Sequence, residues 1–249
     1  MSAIGSLLVE RGWQQFSDPK QSTIPFLPDE EANALVNDLE NQPHAFVLAC
    51  LMDRQIKAER AWAIPGRIRT HLGGFAIERL AVHSEVEWID VFGALSMHRF
   101  NDKMARVWHA GVQHIVQSYD SNASHIWANR PTSATVVRRF LEFRGAGIKI
   151  ATMAANILAR DFKIELADHY SIDISPDVHI RRVMRRAGLV PENASIEQII
   201  YTARELSPEF PGIIDLSLWE IGQTSCRPTS PVCASCILSQ ECPRIGVAR

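Results

Sequence analysis

A short glycine turn, Gly145-Ala146-Gly147, separates two apolar segments of the chain and sets the framework for its fold. Glycine adopts positive φ at no steric cost, so two glycines one residue apart favour a tight hairpin. Apolar residues recur at helical spacing on both sides of the turn, at Val136, Val137, Phe140 and Leu141 before it and at Ile150, Ala151, Met153, Ala154 and Ile157 after it. The pattern predicts a helix, a hairpin and a second helix with Lys149 in its first turn. Such a hairpin either connects two packed helices or binds a phosphate, because the N-terminus of a helix attracts anions.

Four of the five cysteines lie close to the C-terminus. Six residues separate Cys226 from Cys233, two separate Cys233 from Cys236, and five separate Cys236 from Cys242. This arrangement is unlike the disulfide framework of a small secreted protein. Four thiolates in one compact loop can bind either zinc or an iron-sulfur cluster. The remaining cysteine, Cys50, lies in an apolar segment and is expected in the core.

Composition narrows the class of protein. With 249 residues, 46% of them hydrophobic, the chain can bury a sizeable core. It contains no apolar run long enough for a membrane span and no signal peptide, so we expect a cytoplasmic protein. A net charge of -2 argues mildly against a nucleic acid partner, which is normally bound by lysine and arginine. Basic residues are nevertheless concentrated at and after the hairpin, namely Arg138, Arg139, Arg144, Lys149, Arg181, Arg182, Arg185 and Arg186.

The stretch from Phe143 to Ala151 resembles the helix-hairpin-helix of the endonuclease III superfamily of DNA glycosylases, although Arg144 stands where that family usually has proline. The cysteine spacing is similar to the 4Fe-4S loop of the same branch. The resemblance implies an all-α fold with a six-helix barrel domain and a helical 4Fe-4S domain. It also implies that Lys149 attacks the sugar, that Gly145 and Gly147 grip the DNA backbone beside Arg144, and that the cluster is bound by the four C-terminal cysteines.

The segment from Ile174 to Arg182 resembles the part of the family that carries the catalytic aspartate. Asp177 stands at the matching position, where it can both cap a helix and face the sugar. Asp168 and Asp173 are rivals, but neither is followed by the same pattern, and we interpret them as polar loop residues. They belong to a link, Lys163 to Ser175, that is longer than the family leads us to expect. His169 and Tyr170 in this link are candidates for the pocket wall.

Further DNA contacts follow from the resemblance. Gln55 ends a helix at the position of a glutamine that fills the gap left by a flipped base, although it could equally be a surface residue. His98 and Arg99 lie where a second wedge enters from the opposite strand. Arg227 is the basic residue nearest to the cysteine loop. Trp108 and Trp127 are expected in the core rather than as stacking platforms.

The resemblance also predicts the domain organisation. A barrel domain spans residues 30 to 165, and both chain ends, 1 to 29 and 166 to 249, form the iron-sulfur domain. Helices are expected from Ile4 to Trp13, after Asp29, from Pro43, over 57 to 71, 76 to 80, 87 to 95 and 101 to 117, and over 213 to 222.

The function that these observations indicate is removal of a damaged or mismatched base from double-stranded DNA by a monomeric, nucleoid-associated enzyme. The lysine at position 149 favours a bifunctional glycosylase and AP lyase. Three alternatives stay open: a glycosylase that only removes the base, an inactive DNA-binding module, and an iron-sulfur electron carrier or redox sensor. The lesion is not defined by the sequence, and a preference for oxidised pyrimidines is only the family default.

Overall fold

A computed structural model describes residues 2–19 and 21–247 of the chain. Every regular element in these residues is a helix, which confirms the predicted all-α class. The described residues form two compact units. We call Gln21–Pro131 together with Arg138–Ala154 the hairpin unit, because it contains the glycine turn. The cysteine unit is drawn from Met1–Lys20, Thr132–Val137 and Ala155–Arg249.

The hairpin unit contains seven complete α-helices of the described chain. After the N-terminal helix α1 (Ala3–Ser17), they are α2 (Glu30–Asn37), α3 (Pro43–Met52), α4 (Ala58–Trp62), α5 (Ile64–Leu72), α6 (Ile77–Ala81), α7 (Glu85–Ala94) and α8 (Asn101–Ser118), followed by a 3-10 helix at Ala123–Ile126. The chain passes between the two units within α9 (Ser133–Leu141) and again within α10 (Ile148–Arg160).

The cysteine unit combines the N-terminal helix with the C-terminal part of the chain. Its elements are α1 (Ala3–Ser17), α11 (Val178–Arg186), α12 (Ile196–Leu206) and α13 (Asp215–Thr224), with 3-10 helices at Pro211–Ile214 and Cys233–Ser235. Both chain ends therefore belong to one unit. The N-terminal segment of this unit ends near residue 20 and its C-terminal segment begins at 155, whereas the bounds expected from the sequence were 29 and 166.

The core of the hairpin unit is built around α3, all ten residues of which are buried. The helix is apolar on every side, so it has no face suited to water. It packs against α8, where Gly111 allows close approach: a Cβ there would lie 2.9 Å from Cδ1 of Leu51. Trp108 and Trp127 are buried nearby in the same unit, and Cys50 is fully buried, as predicted. Among the described residues, no helix combines the length and the hydrophobicity needed to cross a bilayer.

Local signals account for where several helices begin. The Asp29 side chain accepts a hydrogen bond from the backbone N–H of Ala32, 2.8 Å away, and thereby caps α2. The predicted helix over 57 to 71 is instead two helices, α4 and α5, which meet at Ala63. Pro65 explains the break, since proline has no N–H to donate and fits only in the first turn of a helix.

The cysteine unit depends on close packing of α1 against the 3-10 helix at Pro211–Ile214 and of α13 against α11. A Cβ on Gly12 of α1 would lie only 2.2 Å from the carbonyl oxygen of Ile213. Likewise, a Cβ on Gly222 of α13 would lie 2.7 Å from the Cβ of His179 on α11. These two glycines let α1 and α11 approach their neighbours to distances that any side chain would prevent.

Candidate active site and DNA-binding residues

The hairpin between α9 and α10 has the geometry that its glycines predict. Gly145 lies in the left-handed region with φ of 85°, where a Cβ would be 2.8 Å from Nη1 of Arg54 and 3.1 Å from Cγ2 of Val107. Gly147 has open space around it, with no atom within 4 Å of the position of a Cβ. The turn is anchored by Phe143, which is buried and accepts a backbone hydrogen bond from Ala146. One glycine is thus required for conformation, and the other faces solvent.

Lys149 lies in the first turn of α10, as predicted. Its ammonium group donates to the Asp53 carboxylate, with Nζ 2.6 Å from Oδ2, and to the backbone carbonyl of Asp53 at 3.2 Å. Nζ also lies 3.4 Å from the sulfur of Met153, one turn further along α10. Protein groups orient the amine, and 30% of the side chain is exposed to solvent.

No sequence motif indicates a role for Asp53. It follows α3 directly, its N–H bonds to the carbonyl of Cys50, and its side chain is only 13% exposed. Ninety-six positions separate it from Lys149, so no local pattern connects the two. The available signal was a carboxylate at the end of a predominantly apolar helix, two residues before the predicted wedge.

Gln55 is presented to solvent at the end of the same segment. It is exposed and has φ of 56°, an unusual conformation for a residue other than glycine. Such conformations cost on the order of 1–3 kcal/mol and are concentrated at functional sites. The position therefore suits a side chain that must project from the surface.

The two candidates for a second wedge differ in exposure. His98 is buried, with 2% of its surface exposed; its N–H donates to Asn101 and its Nδ1 accepts from the N–H of Phe100. Burial also lowers the pKa of His98. In this structure, His98 is a packed loop residue that does not reach the surface. Arg99 is exposed beside it, with its guanidinium 5.3 Å from the ring centroid of Phe100.

The loop that carries Arg99 is fixed by two arginines from the same unit. Arg60 on α4 donates to the carbonyls of Ser96, at 2.7 Å, and Met97, at 3.3 Å, and Arg67 on α5 donates to the carbonyl of Leu95. Carbonyl groups of an irregular loop are thereby satisfied without regular structure.

Arg144, in the hairpin, is exposed and lies 3.8 Å from the carboxylate of Glu85, which is also paired with Arg106. An exposed ion pair of this kind contributes little to stability, about 0–1 kcal/mol. Arg144 can therefore exchange its carboxylate partner for a phosphate at small cost.

Asp177 caps α11, as predicted for one of its two roles. Its Oδ1 accepts hydrogen bonds from the N–H groups of His179 and Ile180, both at 2.8 Å. The side chain is half-buried. These two hydrogen bonds orient the carboxylate at the N-terminus of the helix, where the helix dipole favours a negative charge.

The rival aspartates have structural partners in the cysteine unit. Asp173 is buried and binds the guanidinium of Arg204 through both oxygens, at 2.7 and 2.8 Å. It is thus part of a bidentate ion pair rather than a loop polar residue. Asp168 accepts a hydrogen bond from the Ser133 hydroxyl, whose oxygen in turn accepts from the N–H of Ser171.

The two pocket candidates in the link have different surroundings. The ring of His169 stacks on Phe210, with centroids 4.7 Å apart, and meets Phe16 edge to face at 5.4 Å. Burial among these rings lowers the pKa of His169. Tyr170 is exposed over 62% of its surface. Within its unit, His169 has a packing role and Tyr170 is free to contact another molecule.

The four C-terminal cysteines line one cavity of the cysteine unit. Its wall is completed by Val183, Ile221 and Leu238 and by the side chains of Arg186 and Arg244. Burial raises the pKa of the Cys236 and Cys242 thiols. None of the four forms a disulfide. Across residues 2–19 and 21–247, no group of three or more His, Cys, Asp or Glu side chains is arranged to bind a single metal ion.

Two arginines of α11 fix the start of the cysteine loop. Arg182 donates to the carbonyl of Cys226 at 2.7 Å and to that of Gly222 at 2.8 Å. Arg186 donates to the carbonyls of Arg227 and Pro228, and its Nη1 lies 3.7 Å from the sulfur of Cys226. Arg182 and Arg186 therefore serve the loop, whereas Arg227 has an exposed side chain.

Solved structures share this architecture, although no protein-family model and no curated protein matches the sequence. A trapped covalent intermediate of endonuclease III with DNA is 15% identical, with a TM-score of 0.62 over 96% of this chain and 94% of that one. A thermostable thymine-DNA glycosylase is 14% identical, with a TM-score of 0.63 over 96% and 95%. The 8-oxoguanine glycosylase/lyase of Clostridium acetobutylicum, bound to DNA, is 14% identical, with a TM-score of 0.56 over 78% and 68%. The chain therefore has the helix-hairpin-helix DNA glycosylase fold, which confirms the resemblance at the level of the fold.

Proposed function

We propose that the chain is a base excision repair glycosylase that removes a damaged or mismatched base from double-stranded DNA and then cleaves the strand as an AP lyase. The observation that carries the proposal is the position of Lys149, an accessible amine in the first turn of the helix that follows the glycine hairpin. The similar structures support it, because they include a covalent endonuclease III–DNA intermediate and a glycosylase/lyase bound to DNA.

Each proposed catalytic residue has a distinct role. Breaking the N-glycosidic bond leaves positive charge on the sugar, which the carboxylate of Asp177 would stabilise. Lys149 would attack C1′ and form a Schiff base, and the C2′ proton would then be lost as the 3′ C–O bond breaks by β-elimination.

DNA binding is proposed for the hairpin and for exposed residues of each unit. Gly145 and Gly147 have no side chains that would cover the backbone of the turn, and Arg144 adds a charge that can bind phosphate. Gln55 would fill the gap left by the extruded base, and Arg99 would enter from the other strand. Arg227 would contact the backbone from the cysteine loop. The second wedge is assigned to Arg99 alone, because His98 is buried.

We further propose that Cys226, Cys233, Cys236 and Cys242 bind a 4Fe-4S cluster. The donor set fits this group: four free thiols line one largely apolar cavity, and the guanidinium of Arg186 lies beside a sulfur. The four cysteines would hold the cluster as thiolates, and a bound iron centre would supply the positive charge that stabilises them in that form. The proposed role is structural: the cluster would fold the loop that carries Arg227, whose first residues are bonded by Arg182 and Arg186.

The proposal is tested by trapping. The protein is incubated with duplexes that each carry one modified base, including oxidised pyrimidines, a thymine mismatch, uracil, 8-oxoguanine and alkylated purines, and is quenched with borohydride. We expect a covalent adduct on at least one duplex, and its loss in Lys149→Ala. Lys103→Ala, which removes an exposed lysine of α8, is the matched control and should trap normally.

The outcomes separate the candidate functions. Abasic sites without an adduct would show a glycosylase that only removes the base, a candidate favoured by the ion pair that engages the Lys149 amine. An adduct that persists in Lys149→Ala would contradict the assigned nucleophile. Binding to duplexes without base release would indicate a DNA-binding module. Iron and sulfide analysis of the same sample tests the cluster, for which we expect four of each per chain.

A further inference from the structure

The nearest charged group to the proposed nucleophile is the carboxylate of Asp53. Nζ of Lys149 donates to Asp53 twice, to Oδ2 at 2.6 Å and to the main-chain oxygen at 3.2 Å. Both residues belong to the hairpin unit. The carboxylate is the more buried partner, with 13% of its side chain exposed against 30% for the lysine. We call this the Lys149–Asp53 pair.

The backbone positions both partners firmly. Asp53 follows α3, whose ten residues are all buried, and its N–H bonds to Cys50 within that helix. The negative end of the α3 dipole therefore faces the ammonium group together with the carboxylate. Lys149 extends from the first turn of α10, where its amine also contacts the sulfur of Met153. The pair is consequently a defined contact rather than a chance encounter of two flexible surface side chains.

Nucleophilic attack requires that Lys149 be deprotonated. An ammonium group has no lone pair, so Lys149 must lose a proton before it can attack C1′. A general base has to lie within about 2.6–3.2 Å of the atom that gives up the proton, and Oδ2 of Asp53 meets this condition. Asp177 accepts two backbone hydrogen bonds from its own helix, which suits it to stabilising charge on the sugar.

We propose that Asp53 is the proton acceptor that converts Lys149 into its nucleophilic amine. This inference rests on the proposed lyase function and adds a residue to it. Bound DNA would exclude water from the partly exposed pair. Desolvation disfavours both charges, so it favours the neutral amine and neutral carboxylic acid over the ion pair. Covering the site with DNA thus promotes the transfer.

The proposed reaction has four steps. One proton moves from Nζ of Lys149 to Oδ2 of Asp53, which leaves a neutral amine and a carboxylic acid. The amine lone pair forms the N–C1′ bond while the C1′–base bond breaks, and its electron pair leaves with the base. The departing base takes the proton from Asp53. The new secondary ammonium then gives a proton to O4′ as the C1′–O4′ bond breaks, which yields the protonated Schiff base.

The experiment measures borohydride trapping on a duplex with a preformed abasic site, so that lesion recognition is not required. For this substrate the amine adds to the C1′ aldehyde, and Asp53 performs the same deprotonation. The full-length protein is compared with Asp53→Asn, Asp53→Glu and Lys149→Ala from pH 6 to 10. Thermal melting of each variant verifies that it is folded.

We expect Asp53→Asn to trap on the order of 10²-fold more slowly than wild type at neutral pH. The difference should narrow towards pH 10, because lysine amines lose their proton to solvent in that range. Asp53→Glu should recover most of the rate, since it restores a carboxylate. This combination of a pH-dependent loss and rescue by glutamate distinguishes a proton acceptor from a residue that only supports the fold.

Three results would overturn the inference. Trapping by Asp53→Asn that is as fast as wild type or faster would mean that the pair restrains Lys149. A loss of trapping rate in Asp53→Asn that is equal at every pH and is not relieved in Asp53→Glu would mean a structural contact. A wild-type protein that traps nothing, or a Lys149→Ala variant that still traps, would remove the proposed lyase step itself; this failure is recognised without reference to any Asp53 variant.

Discussion

The two hairpin glycines should respond differently to the same substitution, because only Gly145 has a positive φ. In Gly145→Ala, an alanine in the left-handed region costs roughly 1–2 kcal/mol. Its methyl group would also lie 3.1 Å from Cγ2 of the buried Val107 and 2.8 Å from Nη1 of Arg54. The guanidinium can move, but a valine packed on α8 cannot do so freely. We therefore expect a total loss of about 2–4 kcal/mol in the free energy of unfolding.

Gly147→Ala is the matched control for folding. A methyl group there meets no atom within 4 Å, and the φ of Gly147 is not in the left-handed region. The stability of this variant should stay within about 0.5 kcal/mol of wild type, or rise slightly as the unfolded chain loses freedom. If the turn binds a phosphate, the same methyl group obstructs that approach. Loss of one charged hydrogen bond would weaken DNA binding by about tenfold or more.

The assays are urea unfolding followed by circular dichroism, and fluorescence anisotropy with a labelled duplex containing a reduced abasic site. For a chain of this size, the loss in Gly145→Ala corresponds to a fall in Tm of several degrees, about 2–4 °C per kcal/mol. Equal stability of the two variants would refute the argument from φ and packing. Unchanged DNA affinity in Gly147→Ala would show that phosphate does not approach this turn.

Two further predictions concern other parts of the chain. Replacing Gln55 with glycine or alanine removes the proposed wedge equally, so both variants should lose base extrusion, measured with a fluorescent base analogue. In urea unfolding, the glycine variant should be about 1 kcal/mol more stable than the alanine variant, because φ at this position is 56°. Burial raises the pKa of Asp215 from its ordinary 3.8 to about 6. The protonated carboxyl group of Asp215 therefore contributes folding stability that is fully present below pH 3.8 and is lost as the pH rises through about 6. Asp215→Asn can still accept the hydrogen bonds from Ser175. Its free energy of unfolding, relative to wild type, should therefore rise by up to about 3 kcal/mol between pH 4 and 7. A difference between the two proteins in urea unfolding that stays constant across that range would contradict this prediction.

Features of the fold that depend on adjacent residues were predictable from the sequence. Asp29 and Asp177 each precede a run of helix-forming residues and cap a helix in the structure. The positive φ of the turn likewise falls on Gly145, a residue of the turn itself. Two capping boxes are further local signals: Ser84 with Glu87 begins α7, and Ser195 with Gln198 begins α12. In each of these cases, the partner atoms are within three residues of one another, so the sequence pattern contains the interaction.

Contacts between distant segments were not predictable in this way. The bidentate pair of Asp173 with Arg204 joins residues 31 positions apart, and it makes a loop aspartate into a buried structural group. The burial of His98 depends on how its loop folds back, although the polar residue itself resembles a surface candidate. Asp53 and Lys149 meet only because the fold brings the end of α3 to the first turn of α10, and both residues belong to the hairpin unit. Such pairings follow from tertiary packing, on which one sequence holds little information.

The end of α3 places three consecutive residues against different parts of the proposed site. Asp53 binds the amine of Lys149, Arg54 lies over the hairpin at Gly145, and Gln55 projects into solvent. A movement of Gln55 on entering a duplex would therefore be transmitted through two peptide bonds to the group that receives the lysine proton. Because α3 is buried along its whole length, it cannot absorb that movement, and the displacement must be taken up at Asp53 and Arg54. Base extrusion and activation of the nucleophile would then share one short segment, so a wedge variant such as Gln55→Ala should slow adduct formation even on a preformed abasic site.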